Sequence, residues 1–182
     1  MRPVGNVLGE GIKLGFAFLF AGISVGLSIA FPSGSLARYL HISSIPCLGL
    51  GILSGPLYVL WISLAYRMCG RWYGVTTAVL ISSFLLLSGP WYGITSPSWF
   101  GLYGLISFIV LGLVTERING GAASVGCLAI NWLALWAHKS LLPNPIHIAL
   151  LVLVATFLSG FIFDKLVSMA MNRLGFRLSS TT

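Results

Sequence analysis

A chain of 182 residues that is 57% hydrophobic and only 7% charged, with a mean hydropathy of +0.98, carries more apolar surface than a soluble core of that size can hide. Lipid is the expected solvent for most of it. The net charge of +7 would point to nucleic acid in a soluble protein, but here the cations flank apolar runs and read as topology signals instead.

Runs near the roughly 20 residues that cross a bilayer fall at 13–32, 45–66, 74–90, 99–115, 122–138 and 146–164. They leave almost nothing for a soluble domain. The expected fold class is an all-α integral membrane protein, a six-transmembrane-helix bundle forming a single domain over 1–182. With six crossings, Arg2, Lys13, Arg67, Arg71, Arg117, Lys165, Arg173 and Arg177 fall on one side and Arg38 and Lys139 on the other. The positive-inside rule then places both termini in the cytoplasm.

The first span, "GFAFLFAGISVGLSIAFP", is too long for a typical signal-peptide core and lacks a convincing cleavage site, so it is expected to stay in the protein. It carries two competing signals. "GISVG" has the G-x-S-x-G form of a hydrolase nucleophile, centred on Ser24, but that motif works on a strained strand-to-helix turn, and this one lies inside a helix. His41, His138 and His147 all fall near the outer surface, whereas Ser24 sits near mid-span, so a serine–histidine pair is not expected. Small residues also recur at four-residue steps: Gly11 and Gly15, Ala17 and Ala21, Gly22 and Gly26. That spacing lets helices approach closely in lipid, and serves either a partner protein or the chain's own bundle.

"SGSLARYLHISS" after span one brings Arg38, Tyr39 and His41 to the outside, and "WYGITSPSW" after span three is aromatic; both are long enough to cover an external opening. Span two is interrupted by "SGPLY", where Pro56 removes a backbone donor and Gly55 permits a bend, so a kink or break is expected. The inner connections "RMCGRWYG" and "ERINGG" suit tight turns at lipid headgroups. Span five, "GGAASVGCLAINWLALWAHKS", puts Ser124, Asn131 and His138 on one face at seven-residue spacing. Asn131 falls near mid-membrane, where an amide needs a neighbouring helix or a cavity. Trp132 and Trp136, like Trp99 and Tyr103, form i, i+4 aromatic pairs. After span six, "DKLVSMAMNRLGFR" continues in helical register and reads as an interfacial end of the last helix.

Glu10, Glu116 and Asp164 are the whole acid inventory, and all map to the inner ends of spans, as headgroup-level charges. A mid-membrane proton relay or carboxylate cluster is therefore not expected. Cys47, Cys69 and Cys127 are isolated, without the pairing of a metal or redox site. There is no G-x-x-x-x-G-K-[ST] loop, so any ATP must be hydrolysed by another chain.

A six-span chain with "AFLFA" on its first helix, "GILSGPLYVLWISLAYRMCGRWYG" over its second and "LYGLISFIVLGLVTERING" over its fourth resembles the specificity subunit, or S component, of an energy-coupling factor transporter, its fourth helix being similar to that of subunits of the thiamine-precursor type. The resemblance implies a prokaryotic cell-membrane protein that captures a small heterocyclic vitamin or precursor from outside and docks on a transmembrane coupling subunit and ATPase subunits. It implies docking through Ala17, Ala21 and Gly22. It implies a pocket in the outer halves of helices four to six under a lid: Arg38 and His41 in the lid, Trp99 and Tyr103 on helix four, and Asn131, Trp132, Trp136, His138 and Lys139 on helix five. The chain itself would be no enzyme, with no cofactor and no metal. The absence of acids from that outer region favours a carboxylate-bearing or neutral heterocycle over a cation. A stand-alone small-solute channel or facilitator is the alternative, and an intramembrane serine hydrolase a weaker third.

Overall fold

The computed structural model describes residues 9–30, 55–88, 100–140 and 146–174. These form six α-helices: α1 (Glu10–Ala30), α2 (Gly55–Cys69), α3 (Tyr73–Ser88), α4 (Phe100–Arg117), α5 (Gly120–Lys139) and α6 (Ile146–Arg173). Among the described residues, three helical stretches are long and apolar enough to cross a membrane: Glu10–Ala30, Gly120–His138 and Ile146–Arg173. The segments 33–44 and 91–99, expected on the outside, and the first part of the second expected span, 45–54, lie outside the described residues.

Helix α2 is the hub of the bundle, packing against α1, α3, α4, α5 and α6, while α1–α3–α4–α5–α6 follow one another as neighbours around it. Its burial pattern reflects that position: Val59, Ile62, Ser63 and Ala65 are all fully buried, a breadth that a one-sided amphipathic helix would not show. Tyr58 of α2 joins Val25, Ile81, Phe108 and Leu111 of the surrounding helices in the main hydrophobic cluster. Pro56 falls in the first turn of described α2, where its missing N–H costs no intrahelical bond.

Lipid offers no hydrophobic drive between helices, so contact depends on how closely backbones approach. Glycines supply that closeness at two crossings. A Cβ on Gly112 of α4 would come within 2.8 Å of the Val75 Cα of α3, and one on Gly121 of α5 within 2.7 Å of the Phe157 carbonyl oxygen of α6.

One end of the bundle is polar and heavily cross-linked. The start of α1, the end of α2 and the starts of α3 and α5 meet there, so successive helices run in alternate directions. All three acids work at this end. Glu10 bonds Lys13 at 2.8 Å and accepts from the Tyr73 hydroxyl at the start of α3. Glu116, in the last turn of α4, accepts from the backbone N–H groups of Trp72 (3.0 Å) and Val75 (3.1 Å), so a side chain of one helix caps the N-terminus of another. The Glu116 carboxylate also holds the turn in which Trp72 adopts a φ of 75°.

Asp164 departs from its expected headgroup setting. It is 6% exposed and accepts from Ser63 Oγ at 2.6 Å, Arg67 Nη2 at 3.0 Å and the Gly120 N–H at 3.1 Å. A carboxylate at that depth needs donors on both oxygens, and α2 and α5 provide them. Helix α6 also runs past the expected 146–164 span, to Arg173. Its 28 residues make it about 42 Å long at 1.5 Å per residue, and Val167 and Met171 remain buried in the added turns.

Candidate functional site

The residues expected to line an outer pocket divide into three groups. Arg38, His41 and Trp99 lie outside the described residues, as does the side chain of Lys139. Tyr103 and His138 are brought together: their rings meet edge to face, with centroids 5.4 Å apart and an interplanar angle of 83°. This joins the first turn of α4 to the last turn of α5, which ends where Ser140 adopts a left-handed φ of 52° and its N–H closes on the Trp136 carbonyl at 2.8 Å.

The third group is spread around α5. Asn131 is 1% exposed, and its Nδ2 donates to the Cys127 carbonyl one turn earlier, at 2.8 Å. That satisfies part of the amide locally, without a neighbouring helix. Trp132 packs on Leu128 and Val152, at the α5–α6 seam. Trp136 turns outward, about half exposed. The shared face read from sequence is real for Ser124 and Asn131, both buried, but His138 emerges at the exposed end.

Deeper in the bundle is a cavity that the sequence did not announce. It is small and bounded by Gly55 and Tyr58 of α2, Leu111 of α4, Ser124, Cys127 and Leu128 of α5 and Thr156 of α6. No charged side chain lines it. Tyr58 is held by an edge contact to Phe108 (centroids 5.1 Å) and accepts from Ser28 Oγ of α1 at 3.0 Å. Ser124 Oγ donates to the Gly120 carbonyl at 2.9 Å. Thr156 Oγ1 is buried and has no hydrogen-bond partner. Sequence reasoning placed Ser124 on an inward face but had no signal for Thr156, which lies among Leu, Val and Phe in the most apolar run of the chain.

The small residues of α1 separate into two opposite faces. Ala17 and Ala21 are fully buried and point inward with Phe20, Ser24 and Val25. As placed, a partner cannot touch them. Gly22 is exposed, together with Gly11, Gly15 and Gly26, and a Cβ at any of these four would have nothing within 4 Å. At 100° per residue these glycines fall within a sector of about 60° on the side of α1 away from most of the buried face. Phe18 and Leu19, about half exposed, interrupt the row. Ser24 Oγ is buried without a hydrogen-bond partner, on the inward face.

Among the described residues, no group of three or more histidines, cysteines or acids is placed to hold a metal ion. No protein-family model, curated protein or solved structure matches the chain.

Proposed function

We propose that this chain is the substrate-binding membrane subunit of an ATP-driven micronutrient importer, with six membrane crossings and both termini in the cytoplasm. It captures a small heterocyclic vitamin or precursor from outside and hands it on by docking on a coupling subunit whose ATPase partners hydrolyse ATP. The observation that carries this reading is the outward glycine row of α1: Gly11, Gly15, Gly22 and Gly26 leave an open strip on the face away from the bundle. A helix facing only lipid gains nothing from glycine, which is the poorest helix former after proline, whereas a helix receiving another helix gains close backbone contact. Docking therefore falls to the glycine row, Gly22 included, and Ala17 and Ala21 act by seating α1 on α2 and α3. Ligand capture falls to the outer end, where Tyr103 and His138 meet, with Arg38, His41, Trp99, Asn131, Trp132, Trp136 and Lys139 as further candidates.

The test is uptake into liposomes by the purified chain alone and together with a coupling and ATPase module. Uptake that requires the module and ATP supports the reading; robust uptake by the chain alone replaces it with a stand-alone facilitator. The Gly15→Leu/Gly22→Leu variant should lose module-dependent uptake while its thermal midpoint stays near that of the parent. Mass spectrometry of small molecules co-purifying with the protein identifies the ligand.

A further inference from the structure

The acids at the polar end of the bundle are all engaged by its own helices: Glu10 by Lys13 and Tyr73, Asp164 by Arg67, Ser63 and Gly120, and Glu116 by the N–H groups of Trp72 and Val75. Lys13–Glu10 and Arg67–Asp164 are the ion pairs among the described residues, so Arg71, Arg117, Lys165 and Arg173 are exposed at this end without a carboxylate partner. Lys165 lies along its own helix, over the Phe161 ring one turn earlier, as a snorkelling lysine does. Arg71 is different. Its guanidinium lies over the ring of the next residue, Trp72, 5.5 Å from the centroid, a contact that uses none of its N–H donors. Trp72 is itself about half exposed and has a φ of 75°, which a bulky side chain rarely adopts. Its N–H is fixed on Glu116, and its carbonyl accepts from the N–H and Oγ1 of Thr76, both at 2.9 Å. A strained backbone therefore presents the indole outward instead of packing it in the bundle. The Glu116 bond also sets this turn beside the α4–α5 turn, where exposed Arg117 and Ile118 directly follow Glu116.

We propose that the Arg71–Trp72 turn, with Arg117 and Ile118 of the adjacent turn, binds the headgroup of an anionic phospholipid. The two guanidinium groups supply planar sets of donors that match the oxygens of a phosphodiester. Trp72 and Ile118, about half and two-thirds exposed, supply the apolar part. They stand where the helices end, the level at which tryptophan sits between acyl chains and headgroups. A soluble phosphate uses the cations and leaves those two side chains in water, whereas a lipid covers both. Glu116, the acid between the two turns, is directed onto the N–H groups at the start of α3 and so leaves the cations free to act on an outside anion. The site rests on the chain lying in a membrane and stands independently of what it transports.

The full chain in detergent, offered equal amounts of phosphatidylglycerol and phosphatidylcholine, should retain phosphatidylglycerol preferentially in native mass spectrometry. Arg71→Gln/Arg117→Gln should reduce that preference about tenfold, the effect of two cations near an anionic headgroup. Lys165→Gln/Arg173→Gln removes the same charge from the same end and should keep most of it. Equal retention of the two lipids by the parent chain overturns the proposal, and so does an equal loss in both double variants, which assigns the preference to the charge of the whole end. Glycerol phosphate in tenfold excess should not displace the lipid; displacement makes the site one for soluble phosphate and overturns the assignment to lipid. Trp72→Gly suits a positive φ, so its lipid-free thermal midpoint should hold or rise while the preference falls. A lowered midpoint with the preference kept makes Trp72 a structural residue and overturns its place in the site.

Discussion

Asp164 and Arg67 stand 97 positions apart in the chain and 3.0 Å apart in space, and the carboxylate that joins them also accepts from Ser63 and from the first N–H of α5. This group fixes the relative height of α2, α5 and α6. Removing the acid leaves Arg67 without its ion-pair partner, with only its Nε bond to Ser63 Oγ at 3.1 Å, and Gly120 and Ser63 without an acceptor, so Asp164→Ala is expected to cost about 3–5 kcal/mol. Asp164→Asn keeps an acceptor and should cost less, and Ser63→Ala about 1 kcal/mol. The apolar pair Arg67→Met/Asp164→Leu should not restore the parent stability, because the Gly120 N–H stays unpaired. Thermal unfolding in detergent gives the order directly.

Gly160 and Gly120 make the tightest crossing in the bundle. A Cβ on Gly160 would come within 2.3 Å of Ser124 Oγ and 2.5 Å of the Gly120 carbonyl oxygen; one on Gly120 would come within 2.4 Å of Val59 Cγ1 and 2.8 Å of the Gly160 carbonyl oxygen. Backbone cannot rotate away as a side chain can. Gly160→Ala should therefore destabilise by at least the 1–3 kcal/mol typical of overpacking, and Ser124→Ala in the same chain should not rescue it. On the outward row of α1 the same substitution has the opposite sign: Gly22→Ala or Gly26→Ala meets open space and should be neutral or stabilise by up to about 1 kcal/mol. Yield and thermal midpoint across the four variants test the contrast.

Much of this architecture is legible in the sequence because bilayer thickness imposes a length on apolar runs. The runs at 74–90, 99–115 and 122–138 match α3, α4 and α5 to within about two residues at each end. What the sequence hides depends on distant partners. Asp164 beside Lys165 looks like a headgroup charge until Arg67 and Gly120 arrive to bury it. Helix α1 carries two small-residue registers, Ala17 with Ala21 and the four glycines, and spacing alone cannot say which one faces α2 and α3. Among the candidate site residues, Asn131 is readable as inward-facing, but not as bonded to its own helix. The cavity at Thr156 was not readable at all, since a void is a property of how six side chains and one glycine fail to fill space.

Glu116 reaches from the end of α4 to the start of α3, where it accepts from two backbone N–H groups and lies on the positive end of that helix's dipole. Glu116→Ala should cost about 1–2 kcal/mol, the range of a lost N-cap, and Glu116→Gln about half of that, since one amide oxygen can still accept. Hydrogen exchange supplies a local readout: the amides of Trp72 and Val75 should lose protection in the alanine variant before those of α5 do.

The contact of Tyr103 with His138 and the bond of Asn131 to its own helix make opposite predictions for the candidate ligand site. His138 is exposed in the last turn of α5, so His138→Ala removes one ring contact, worth about 0.5–1.5 kcal/mol. If the outer end captures the ligand, the same change should weaken binding at least tenfold, more than the loss of packing explains. Asn131→Leu is close in volume, and the Cys127 carbonyl it leaves retains its place in the helix. It should leave ligand affinity within about twofold if the Nδ2 bond at 2.8 Å is the amide's main work. Equilibrium binding of the co-purified small molecule, with thermal midpoints measured in parallel, decides between the two residues. Affinity lost in Asn131→Leu but kept in His138→Ala would move the site inward from the Tyr103–His138 contact, toward the middle of α5.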